Sequence, residues 1–95
     1  MRIDFHIHHG FEGVNPALQR IHRDLIEPFA TMLDRWQLLD RFFISDETVP
    51  EPHSRLTLEV RGSHQSTLAN DLLALFRQQA DADGLVQPNH ITCRD

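Results

Sequence analysis

The stretch Arg2-Ile3-Asp4-Phe5-His6-Ile7-His8 alternates without a break, with Ile3, Phe5 and Ile7 on one side and Arg2, Asp4, His6 and His8 on the other. A period of two is the pattern of a half-buried β-strand, so a sheet is expected with one face on a core and the other open. The pattern returns at Arg55 to Arg61. There Leu56, Leu58 and Val60 turn inward while Arg55, Thr57, Glu59 and Arg61 turn outward. These two strands set the frame for the rest of the chain.

Between them the period changes. Gly10, Gly13 and Asn15-Pro16 close the first strand and open a helix, because Asn is a favoured N-cap and Pro is tolerated at the first helical position. Leu18, Ile21, Leu25, Phe29, Met32 and Trp36 then recur at three- and four-residue steps, widened by Ile26 and Leu33. His22, among Arg20, Arg23 and Asp24, belongs to the solvated side of this helix, and Pro28 is expected to kink it. Leu38 to Ser45 reads as a strand, and Asp46 to Pro52, with Pro50 and Pro52, as a loop. After Gly62, Ser66 is the expected cap of a second helix carrying Leu68, Leu72 and Phe76, which Gly84 stops. Residues 85–95 are expected to be a short edge strand around His90 to Cys93 or a frayed tail. The expected fold is one small α+β domain over residues 1–95, a ferredoxin-like β-α-β-β-α(-β) antiparallel sheet with two helices on one face.

Composition narrows the function. A 95-residue chain buries only about two-thirds of its unfolded surface, so a homo-oligomer, a dimer in the simplest case, is an expected source of extra stability. All nine basic residues are arginine and fourteen acidic residues outnumber them, a formal net charge of -5. Such a surface repels phosphate backbones, which argues against a nucleic-acid partner. Without lysine there is no Schiff base and no P-loop lysine. The single cysteine, Cys93, permits no intrachain disulfide and no multi-cysteine metal site. Charge near the N-terminus and the lack of a long apolar run give the expectation of a cytoplasmic protein with no membrane partner.

The residues with chemical potential lie on the open face. Asp4, His6 and His8 project in parallel, roughly 7 Å apart, whereas His9 points to the other side. Two histidines so placed bind a divalent metal such as Zn when a neighbouring strand or subunit adds a third ligand. The plainer alternative is a row of solvated or interface side chains and no cofactor. Arg55, Glu59 and Arg61 are expected near Asp4 as a charge ladder, or as an anion or peptide-carboxylate site, since a guanidinium fork binds such groups bidentately. Trp36, Phe42 and Phe43 suit a core or an interface. Consecutive phenylalanines in a strand face opposite ways, so one of Phe42 and Phe43 should be exposed beside the arginines.

Two resemblances bear on these residues. Asp4-Phe5-His6-Ile7-His8 is similar to the HxH first-strand metal motif of amidohydrolases, but that fold needs eight strands and about 250 residues. More extended is a resemblance over residues 3–61 to the C-terminal domain of lantibiotic dehydratases and thiopeptide-type bacteriocin biosynthesis proteins. It is carried by Leu25-Ile26-Glu27-Pro28-Phe29, by Asp40-Arg41-Phe42-Phe43-Ile44 and by Pro52-His53-Ser54-Arg55-Leu56-Thr57-Leu58. The chain departs from the family's FFIRY and PHLRLRL strands at Ser45, Asp46 and Thr57, and keeps His53 and Arg55 as matching polar positions. The resemblance implies a role in peptide natural-product modification, with a protein or peptide partner.

Together these readings give a leading expectation and two others. The leading one is a noncatalytic binding or assembly module whose open face, with His53, Arg55, Phe43 and Arg61, meets a partner or a second copy. The others are a small metal-binding protein or metal-dependent enzyme using Asp4, His6 and His8, and a small-ligand sensor at a dimer junction.

Overall fold

The computed structural model of the chain describes residues 1–62 and 67–94. The cap expected at Ser66, like His64, lies outside the described residues. Four strands, β1 (Arg2–Ile7), β2 (Leu39–Glu47), β3 (His53–Val60) and β4 (Ile91–Arg94), form one antiparallel sheet in the order β2-β3-β1-β4. The sheet is covered by two helical stretches, an α+β arrangement compatible with a ferredoxin-like fold. The first runs from α1 (Pro16–Ile21) through a π-helical turn at His22–Ile26 into α2 (Glu27–Arg35), and the second is α3 (Leu68–Asp83). Among the described residues no helix is long and apolar enough to cross a membrane.

The inward side chains of the two alternating strands, Ile3, Phe5, Ile7, Leu56, Leu58 and Val60, enter one core with Leu25, Ile26, Phe29, Leu33, Leu72 and Phe76 from the helices. At its centre the Phe29 and Phe76 rings stack with centroids 4.3 Å apart, and Phe5 meets both edge-on at 6.3 and 5.6 Å. One aromatic each from β1, α2 and α3 thereby locks the helices to the sheet, in arrangements worth about 0.5–1.5 kcal/mol per pair beyond area burial.

Pro28 is accommodated in the turn before it. Its ring would meet the carbonyl four residues back, and it has no N–H to donate. The backbone widens there, so that the Glu27 N–H reaches the His22 carbonyl, the five-residue step of a π-turn. The extra residue lets both Leu25 and Ile26 be fully buried. α2 ends with the Gln37 N–H on the Asp34 carbonyl and the Leu38 N–H on the Leu33 carbonyl, a Schellman pair with Gln37 in the left-handed region at φ 59°. Trp36 falls at this cap and is 55% exposed, so the apolar stripe that includes it by spacing does not carry it into the core. α3 stops at Gly84, φ 72°, as the sequence implies.

The two strand boundaries at the β2–β3 hairpin differ from the sequence reading. β2 continues to Glu47 and β3 begins at His53, because hairpin pairing adds the rungs Asp46↔Ser54 and Glu47↔His53 before the prolines intervene. The C-terminal residues form the edge strand β4, whose Ile91 carbonyl accepts from Arg77 Nη2 at 2.7 Å and Nε at 3.1 Å. β4 pairs with β1, so the first strand is central.

Candidate metal centre

Residues directly opposite in an antiparallel pair share a face. The register therefore sets Ser45, Arg55, His6 and Thr92 in one row across the open face, and Phe43, Thr57, Asp4 and Arg94 in the next. The rung Glu47↔His53 lies beyond them at the hairpin end. His8 follows β1, and its backbone N–H donates at 2.9 Å to the carbonyl of His90, the residue just before β4.

Three imidazoles meet at this end of the face. His53 lies with its ring centroid 5.3 Å from His6 and 5.4 Å from His8, while His6 and His8 stack at 6.2 Å. One ligand atom each from His6, Glu47 and His53 falls within 4.8 Å of the others. Tetrahedral zinc, with bonds of about 2.0–2.2 Å, needs its ligand atoms about 3.3 Å apart. His53 is the anchor, being only 3% exposed.

The hydrogen bonds assign the His53 nitrogens. Nδ1 lies 2.8 Å from the Glu51 carbonyl, which can only accept, so Nδ1 carries the proton and donates. Nε2 then stands 2.9 Å from Glu47 Oε2. In the neutral tautomer both atoms offer lone pairs, and their closeness calls for positive charge between them, a second imidazole proton or a bound cation. An Nδ1–H held by a carbonyl is also the usual outer support of a metal-binding histidine. The other Glu47 oxygen, Oε1, is 2.9 Å from Arg55 Nη2. Glu47 is thus braced on one oxygen and presents the other to the cluster.

Burial, with the charges of His53 and Arg94, holds the His6 imidazole below its ordinary titration range, against the pull of Asp4 and Glu47. His8 is lowered by burial and His53 as well. Both therefore give up a proton more readily than an exposed imidazole and offer a lone pair. Two buried polar atoms lack hydrogen-bond partners among the described residues, His8 Nδ1 and Arg55 Nε, and both border this cluster.

A second polar cluster lies one residue along, on the opposite face. Phe11 N–H donates to His9 Nδ1 at 2.9 Å, so His9 Nε2 carries the proton and donates to Ser54 Oγ at 2.9 Å. Ser54 donates to Asp46 Oδ1 at 2.6 Å, and His22 Nε2 meets the same oxygen at 2.8 Å. The serine proton is committed to the Asp46 carboxylate, and the two imidazole nitrogens near Ser54 Oγ, His9 Nε2 at 2.9 Å and His22 Nε2 at 3.3 Å, both carry protons, so the chain His9–Ser54–Asp46–His22 is not a nucleophilic triad. Burial opposes ionisation of Asp46, but the hydrogen bonds from Ser54 and His22 and the nearby imidazoles lower its carboxyl below the usual range. His9 is lowered, chiefly by burial. His22, expected on a solvated face, is instead drawn into this network because the π-turn begins at His22, facing the end of β2.

The residues singled out from the sequence are thus divided. His6, His8, His53 and Arg55 come together. Asp4 is engaged elsewhere, accepting from Thr57 Oγ1 at 2.7 Å and pairing with Arg2 at 3.4 Å. Phe43 is the exposed phenylalanine, half-covered by Arg41, whose guanidinium lies 5.3 Å from the ring, while Phe42 packs on the core. Arg61 pairs with Asp40 at 3.3 Å, and Glu59 with Arg41, so the charge ladder runs along β2 and β3 rather than to Asp4. Glu47 was not a candidate, because it lies in the stretch read as a loop; the parity Phe43, Ser45, Glu47 would have found it. No family model, no curated protein and no solved structure matches the chain.

Proposed function

We propose that the chain binds a divalent transition-metal ion on its open sheet face through His6 and His53 imidazoles and the Glu47 carboxylate, with His8 beside them. The observation that carries this reading is the convergence of three ligand atoms within 4.8 Å on a face that the helices leave uncovered. Imidazole and carboxylate donors suit Zn, Ni or Cu, and three protein ligands leave a fourth position for an exchangeable group. Isothermal titration of tag-free protein with Zn(II) should give one ion per chain. His6→Ala and His53→Ala should each lose more than the roughly 10–100-fold typical of outer-sphere changes. Equal affinity in both variants, with native circular dichroism, would sink the reading.

A second reading takes the open face of this ferredoxin-like chain as an assembly surface. It is favoured by Phe43, 51% exposed on β2 under the Arg41 guanidinium. Sedimentation should then show a dimer that Phe43→Ser weakens, and a monomer at millimolar concentration would remove it.

A further inference from the structure

We infer that the metal centre holds a small oxyanion, a carboxylate or phosphonate-type group, in its open coordination position with Arg55 and Arg94 as the recognising cations. The inference rests on the metal reading above and names what the exchangeable position takes.

Arg55 is the direct cross-strand neighbour of His6, and its Nη2 already braces Glu47 at 2.9 Å. Its Nε has no acceptor among the described residues. A buried donor left unpaired costs about 1–3 kcal/mol, so an acceptor placed beside the ion satisfies a need that the protein itself leaves open. About a third of the Arg55 side chain is exposed, which leaves part of its fork free for a ligand. Arg94 sits opposite Asp4, one row from His6 on the same open face. The Asp4 carboxylate that could neutralise it is already engaged by Thr57 and Arg2. His8 adds a further buried nitrogen without a hydrogen bond, Nδ1, which has only the Glu51 carboxylate 3.9 Å away.

Charge points the same way. Glu47 is the one carboxylate in the ligand set, so a divalent ion there keeps a positive charge, to which two guanidiniums add. A neutral ligand would leave that charge uncompensated on the uncovered face. An oxyanion coordinates through one oxygen and accepts a charge-assisted hydrogen bond from a guanidinium through another.

The test uses the full chain loaded with Co(II), whose visible d–d bands report its coordination sphere. Acetate and methylphosphonate are titrated separately, with matched chloride as control. Saturable band shifts are expected with one or both anions, and the stronger one identifies the class. Arg94→Gln should bind Co(II) as the parent does and the anion about tenfold more weakly. Arg55→Met should lose more anion affinity, together with some metal affinity through the released Glu47. Band shifts of equal midpoint in the parent and both variants would overturn the inference, since the anion would then be reading the ion alone. Unchanged bands in Co(II)-loaded parent protein would overturn it too, while leaving the metal reading standing. Absence of Co(II) bands altogether would remove the metal centre and this inference with it.

Discussion

Two polar clusters stand back to back at the β2–β3 hairpin end, on consecutive rungs, and they are built to opposite ends. The rung Asp46↔Ser54 points toward the helices and the rung Glu47↔His53 toward the open face. On the helix side every assigned proton has a destination: His9 gives to Ser54, Ser54 to Asp46, and His22 to the same carboxylate. On the open side His53 Nε2 and Glu47 Oε2 stand 2.9 Å apart and need a proton or a cation between them, and two neighbouring nitrogens have no hydrogen-bond partner among the described residues. A satisfied network rigidifies the fold, whereas a cluster with unpaired groups is completed by something that binds. Residue type alone does not separate them, for both contain histidine and a carboxylate.

The largest expected effect breaks the contrast directly. Zn(II) at about a hundred times its dissociation constant should stabilise the chain by about 2.7 kcal/mol, read as a shift of the urea midpoint. His53→Ala should abolish that increment and Asp46→Ala should keep it. Next, Ser54→Ala strands both His9 and Asp46 and should cost about 2 kcal/mol in the same measurement, with the Zn(II) increment intact. If Ser54→Ala instead removed the increment, the two clusters would be one unit.

A pH series sharpens the comparison further. The imidazoles of His6, His8 and His9 titrate below their ordinary 6.5, so folding disfavours their protonation. Stability from these groups is complete above 6.5 and is lost as pH falls through their lowered values. Asp46, lowered from 3.8, adds a second loss at more acidic pH. Urea titrations between pH 8.5 and pH 4.5, about two units either side of the ordinary histidine value, should show stability falling toward acid; a flat profile would contradict the burial of these rings. The smallest effect belongs to Asp4→Asn. The amide oxygen can still accept from Thr57, so stability should change by less than about 0.5 kcal/mol and Zn(II) affinity should stay within about twofold.

Alternation alone was enough to read β1 and the core of β3, because a period of two admits one partition of side chains between faces. It placed His6 and His8 together, sent His9 to the other side and buried Ile3, Phe5 and Ile7. The helical stripe of residues 18–33 was equally legible, as was the stop at Gly84. Less legible were the strand ends. Glu47 and His53 flank a Pro-rich loop, and whether they pair depends on hairpin register, which local composition does not encode.

By itself, then, the sequence determined which residues share a face, since that follows from covalent geometry and the need to bury apolar groups. Only the tertiary structure decided which of them meet. Register put Glu47 against His53 and Thr57 against Asp4, so the carboxylate beside the histidines is Glu47, from a strand far along the chain, and Asp4, two residues from His6, is turned to a hydroxyl. The physical reason is distance: neighbours at spacing two along a strand stand roughly 7 Å apart, while cross-strand partners approach to about 5 Å, and a metal ion needs its ligands closer still.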